Sequence, residues 1–365
     1  MLKKLVLGLI GLALLLLLIA GGAVWHFTRA SDAIMATTYD VPGKAVPVPW
    51  PLTEAEKDTL RAEIAARTAD QAEGEAAEGA EEADPADGEA AEADGEAAEA
   101  EAPDPLDGVD LERVAMENAV RRGEHLVNAR LACKECHGED FGGRVYADIM
   151  PVFVLAGPNI TTGEGGLPDD FGNEDWERII RHGVRKDGVG SAMPSQDYQY
   201  ISDREVSDVI AYARSLPPVD RASVPIQKGP VGSILIATGQ VPLAPALIDH
   251  EAERPLTPPA EEVSVEFGAH LAKVCIGCHR DDYSGGPMVG GDPNWPPAAN
   301  LTPHEDGLDG WTTEDFVKSF REGVRPDGSA IDEAMPWKIL GGMTDTELLA
   351  LATYLQSLEP RPTGT

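Results

Sequence analysis

Cysteine is close to absent from this chain, with four in 365 residues. That excludes the dense disulfide framework of a small secreted scaffold. Aromatic residues are scarce at 5%. This is thin for two ordinary cores of about a hundred residues each, so something other than Phe, Tyr and Trp is expected to fill the interior. Basic residues are also short, with 29 Lys and Arg against 63 Asp and Glu and a formal charge of −34. Such a surface resists nucleic acid and anionic lipid faces, so no nucleic-acid partner is expected; a positively charged docking partner suits it better. The length leaves room for two or three modest domains.

What is present begins with an apolar run. MLKK is followed by Leu5 to about Trp25. At about 1.5 Å per residue this reaches across a hydrocarbon layer of about 30 Å. Lys3 and Lys4 precede it, which places the N-terminus in the cytoplasm and the remainder on the periplasmic side of the inner membrane. A cleaved signal peptide is the rival reading, with Ala20, Gly21, Gly22 and Ala23 as a possible cleavage region. Its apolar core, however, usually runs only about 7–15 residues. Residues 1–27 are therefore expected to be a single transmembrane anchor, and either reading exports the rest. Residues 28–108 read as a linker, with a Pro-rich piece and a short helix over 53–67. Within it, residues 70–105 carry fifteen acidic side chains and no Lys or Arg. That stretch lacks the apolar content for a core and reads as a disordered, solvated tether, with an acidic docking tail as the alternative.

The rest of the chain is duplicated. Cys133, Cys136, His137, Met193, Ser202, Tyr212 and Leu216 recur 142 positions later as Cys275, Cys278, His279, Met335, Thr344, Tyr354 and Leu358. NITTGEGG answers NLTPHEDG, and HGVRKDG answers EGVRPDG. The domains are expected at 109–219 and 262–360, joined by a connector over 220–261 and followed by a tail, 361–365. In each copy a helix leads into the cysteine motif and a middle helix stops near Gly183 or Gly323. The last helix opens on a capping box, Ser202 with Glu205 or Thr344 with Glu347. Strand signal is slight, so the fold class is all-α.

Each cysteine pair stands in a Cys-x-x-Cys-His motif, the pattern of covalent haem attachment. Residues three apart share a helix face, so both thiols can reach the two vinyl groups on one porphyrin edge. His137 and His279 are then the proximal iron ligands. Met193 and Met335 are the distal ones, each followed by a proline that suits a loop laid over a haem face. Thioether ligation favours ferrous iron and raises the potential. Zinc half-sites, redox dithiols and disulfides share a bare CxxC, but here every cysteine is consumed by the two motifs. Met150, Met288 and Met343 have no counterparts and read as filler or surface. His125 and His270 match between halves and read as packing or surface residues. His182, His250 and His304 carry no matched context.

Each half resembles a class I cytochrome c domain. The tandem resembles the cytochrome c subunits of membrane-bound bacterial alcohol and gluconate dehydrogenases, on CKECHG and CIGCHR, the NIT/NLT segments, the two GVR-x-DG segments and the AMP tripeptides. The resemblance implies two covalently attached haem c groups, an all-helical fold and electron transfer. The expected role is a periplasmic di-haem carrier between a dehydrogenase or quinol-side donor and an oxidase or other cytochrome. Such a chain is a carrier or the electron-transfer subunit of an oxidoreductase complex, not an enzyme by itself. A di-haem peroxidase is the alternative. Family subunits usually carry three haems, where this chain has motifs for two. In the family a GPN proline gives its carbonyl to the proximal histidine; Pro158 fits that place and Ala299 stands there in the second half. Lys186 aligns with Pro326, and unequal haem potentials are expected. The connector's apolar content suggests that it packs across both domains and fixes the distance between haems.

Overall fold

The computed structural model describes residues 2–81, 103–288 and 294–364. Among the described residues, twelve α-helices run in chain order: α1 (Leu2–Met35), α2 (Glu54–Glu81), α3 (Leu111–His125), α4 (Lys134–His137), α5 (Asn173–His182), α6 (Asp203–Ser215), α7 (Pro230–Ala237), α8 (Val265–Ala272), α9 (Ile276–His279), α10 (Thr313–Glu322), α11 (Trp337–Leu340) and α12 (Asp345–Gln356). Residues Trp50–Glu117 form one compact unit; Met1–Pro49 with Asn118–Thr365 form the other.

In the smaller unit, α2 starts on a capping box. The Thr53 backbone N–H donates to Glu56, and the Glu56 N–H donates back to the Thr53 hydroxyl. The helix runs to Glu81, well past the expected end at 67 and into the acidic stretch. Ala and Glu are strong helix formers, so a composition too polar for a core still sustains a helix. The remainder of the expected tether, 82–102, lies outside the described residues.

The larger unit holds both repeats. In each, the first helix crosses the last at a glycine. A Cβ on Gly123 would lie 1.9 Å from the Asp208 carbonyl oxygen, and one on Gly268 would lie 2.0 Å from that of Ala350. Only a residue without a side chain permits these crossings. Around them the first core gathers Leu126, Trp176, Ile180, Val206 and Ile210. The second gathers Phe267, Phe316, Phe320, Leu348 and Leu351. Edge-to-face rings repeat as well, Phe141 on Tyr212 and Tyr283 on Tyr354.

The fold is mainly helical, as expected, and three details differ from or add to the expectations. First, the linker does not begin at residue 28. Residues up to Pro49 belong to the first domain: Val46 is only 1% exposed, Asn173 donates to its carbonyl, and Ser207 donates to that of Pro47. A Pro-rich strand cannot satisfy its own backbone, and here it lends its carbonyls to α5 and α6. Second, strands do form. β1 (Arg144–Asp148), β2 (Phe153–Gly157) and β3 (Gln227–Lys228) make an antiparallel sheet in that order. Val145, Tyr146, Phe153 and Val154 are the residue types that favour it. Third, the connector fastens to the first domain. Its β3 joins the sheet, α7 packs along α1, and the carbonyls of Pro255 and Leu256 accept from the first amides of α6.

Candidate functional site

Each cysteine motif forms one tight turn. Cys133 precedes α4, and its carbonyl accepts from His137 N–H at 3.0 Å. The following loop folds back, so that Gly143 N–H donates to the His137 carbonyl at 2.9 Å. The second copy repeats this with Gly285 and His279 at 3.1 Å. Both returns pass through an aromatic residue in the left-handed region, Phe141 at φ +56° and Tyr283 at φ +62°. The residue after the histidine also has positive φ. It is Gly138 in the first motif, but Arg280, at φ 69° and ψ 165°, in the second. That region is essentially reserved for glycine, so Arg280 holds strain at the haem motif.

The imidazoles are placed alike. His137 Nδ1 lies 2.9 Å from the Pro158 carbonyl oxygen, and His279 Nδ1 lies 2.7 Å from that of Ala299. A carbonyl only accepts, so Nδ1 carries the proton and the Nε2 lone pair is left for a metal. The substitution of alanine for proline therefore costs no hydrogen bond. Burial lowers the pKa of both histidines, which keeps each ring neutral and able to ligate. The asparagines that follow hold each loop. Asn159 accepts from Thr161 and donates to the carbonyls of Val219 and Arg221; Asn300 accepts from Thr302 and donates to that of Arg361.

Burial pushes the Cys133 thiol up to about 12 and Cys136 to about 11. It pushes Cys275 to about 12 and raises Cys278. Such thiols make poor thiolate ligands or nucleophiles. They suit thioether attachment, in which sulfur stays neutral, and the donor set fits haem. Met193 and Cys133 both pack against the first core, and Met335 and Cys275 against the second. The indole N–H of Trp337, two residues beyond Met335, is buried without a partner. It is a donor available to a bound group. Met343 is core filling and Met150 is exposed, as expected.

The repeats meet through their sites. The loop after Met193 (195–197) packs against α9, and a Cβ on Gly277 would lie 2.4 Å from a carboxylate oxygen of Asp197. Burial raises that acid to about 7, and its Oδ1 has no partner. His125 and His270, read from the sequence as packing residues, pair instead with Glu347 and Glu205 of the opposite domain. Their matched positions were the available signal. His182 and His250, given no role, face each other with Nδ1 atoms 2.9 Å apart.

Residues 118–212 match the family described as cytochrome c oxidase, cbb3-type, subunit III, and residues 265–359 match cytochrome c. The gluconate 2-dehydrogenase cytochrome c subunit of Pantoea cypripedii is 28% identical over 282 residues, 67% of this chain and 60% of that one. The fructose dehydrogenase cytochrome subunit of Gluconobacter japonicus is 28% identical over 271 residues, 66% and 52% of the two chains. The cytochrome c subunit of the quinone alcohol dehydrogenase of Gluconobacter oxydans (strain 621H) is 30% identical over 109 residues, 28% and 23%. The matches thus cover 60% or less of each relative's length.

Proposed function

We propose that this di-haem c-type cytochrome, with two cytochrome c domains and two covalently attached haem c groups, is the membrane-anchored electron-transfer subunit of a periplasmic dehydrogenase complex. When bound, each haem supplies a one-electron carrier, and the protein supplies ligation, burial and spacing. His137 and Met193 would hold one iron, His279 and Met335 the other. Cys133 with Cys136, and Cys275 with Cys278, hold the groups covalently. The contact that supports the reading is the packing of residues 195–197, which follow the candidate ligand Met193, against α9, the attachment segment of the other repeat. That is the arrangement electron passage between two centres needs. The Nδ1–carbonyl bonds fix each imidazole's rotation.

A helix of 33 residues, Lys3–Met35, is long and apolar enough to cross a membrane. It supports an inner-membrane anchor, and Lys3 and Lys4 support periplasmic haem domains. Electrons would pass from the dehydrogenase to an oxidase or another cytochrome. A peroxidase needs an open iron position, and a methionine at both sites argues against one.

The test is purification from detergent-solubilised membranes. The cytochrome is expected to co-purify with a dehydrogenase polypeptide and to be reduced on addition of that enzyme's substrate. Recovery as a lone cytochrome would remove the subunit reading.

A further inference from the structure

We propose that the first cytochrome domain rests on the bilayer through a second, apolar contact formed by the β1–β2 turn and the first turn of α7. This builds on the reading of α1 as a membrane span. The helix does not end with its apolar run. It continues unbroken to Met35, and Phe27, Thr28, Ala30 and Ser31 are less exposed than the residues before them. Here α7 packs along it. Lys228, just ahead of α7, donates to the Ser31 hydroxyl at 2.7 Å and pairs with Asp32 at 2.7 Å. Span and dock are therefore one continuous rod fastened to the domain.

The height of this dock follows from helix geometry. Ser31 is six residues past Trp25, about 9 Å further along the axis. That lies at the outer edge of the headgroup layer, which extends about 5–8 Å beyond the hydrocarbon on each side. Pro230 and Val231 open α7, two and three residues after Lys228. The β1–β2 turn is bound to them: Val231 N–H donates to the Pro151 carbonyl at 3.2 Å, and Gly229 N–H to that of Val152 at 2.8 Å. Met150 is 52% exposed and Val231 39%, beside exposed Pro151 and Pro230. Arg29 lies over the Trp25 ring at 5.3 Å, an aromatic–basic pair of the kind found at a membrane surface. The chain's net charge of −34 disfavours electrostatic attraction to lipid. Shallow insertion of an apolar tip is the mode left, and Met, Val and Pro supply it. The same hairpin carries Tyr146 on β1, the strand that packs against α4 and its haem-attachment cysteine. Four residues of strand, about 13 Å, then separate a haem-attachment cysteine from the lipid contact.

The four native cysteines are occupied by haem, so one introduced cysteine can be labelled alone. Full-length holoprotein carrying Met150→Cys, Val231→Cys, Leu15→Cys or Val265→Cys is spin-labelled in phosphatidylcholine nanodiscs. Accessibility to oxygen and to a nickel chelate is then measured. Positions 150 and 231 are expected to favour oxygen over the chelate several-fold more than Val265, an exposed site on the second domain. If both match Val265 while Leu15 reads as membrane-embedded, the anchor stands and the seat is overturned. If Leu15 is itself aqueous, the span reading fails and takes the seat with it.

Discussion

His125 Nε2 lies 2.7 Å from the carboxylate of Glu347, and the reverse pair, His270 and Glu205, lies at 2.8 Å. Each cytochrome domain thus presents a histidine from its first helix to the capping glutamate that opens the last helix of the other. One residue serves capping box and domain contact together. Arg130 sits between the two carboxylates, 2.9 Å from Glu205 and 3.5 Å from Glu347. It comes from a π-helical segment, Leu126–Arg130, at the place where the first repeat is three residues longer than the second. The insertion supplies the cation that lets two buried glutamates approach one another.

Removing that cation leaves two carboxylates buried together. Breaking a buried charge cluster by deleting one member costs about 3–5 kcal/mol. Arg130→Met should therefore weaken domain docking by a loss of that order. The expected readout in urea denaturation is a single cooperative transition that broadens or splits in two. An unchanged midpoint would assign the interface to apolar packing alone.

The same cluster sets an acid limit. Burial by itself would raise Glu205, but the hydrogen bond from His270 and the charge of Arg130 outweigh it and hold the carboxyl at about 2. A carboxylate depressed in the folded state stabilises it fully above the ordinary value of 4.5. That contribution is lost as pH falls from there to about 2. Stability of the wild-type holoprotein should drop steeply across this window. Glu205→Gln should be less stable at neutral pH and show a flatter acid limb in thermal melts.

Much of this was legible because covalent haem attachment needs residues at fixed short spacing. The two CxxCH motifs and the 142-residue repeat are local patterns, as are the capping boxes at Ser202 and Thr344, and the structure bears these helix starts out. The wrapping of residues 36–49 was not legible, since an extended Pro-rich segment has no period and its partners, Asn173 and Ser207, lie well over a hundred residues away. The histidine exchange was hidden for the same reason: His125 and Glu347 are 222 positions apart. The sheet was missed because β2 reads as a short apolar run, and its partner β3 comes from the connector.

Arg280 offers a test of backbone strain at a haem motif. Its dihedrals match those of Gly138 in the first repeat, φ 84° and ψ 166°. A non-glycine residue in that region costs about 1–3 kcal/mol. Arg280→Gly should relieve part of this, offset by the greater freedom glycine brings to the unfolded chain. The expected result is a net gain of up to about 1 kcal/mol in the second domain, seen as a higher melting temperature of the holoprotein. Gly138→Arg should show the opposite sign in the first domain.

The two methionines can be separated by substitution. Met193→Ala and Met335→Ala each remove one thioether from a loop that otherwise keeps its backbone bonds, Ser195 N–H to the Met193 carbonyl in one and Trp337 N–H to that of Met335 in the other. Each variant should keep both haems covalently bound, since the cysteines are untouched. Each should lose about half of the far-red sulfur-to-iron band of the oxidised protein and bind carbon monoxide at one reduced centre. The loss of a soft ligand that favours ferrous iron should also lower one potential and leave the other near its wild-type value. The step that moves assigns the wild-type wave. Two separate steps before substitution would fit the differing surroundings, a glycine or an arginine after the histidine and a serine or a tryptophan two residues past the methionine. A single wild-type step would count against that asymmetry, and an unchanged far-red band in either variant would remove that methionine from the iron.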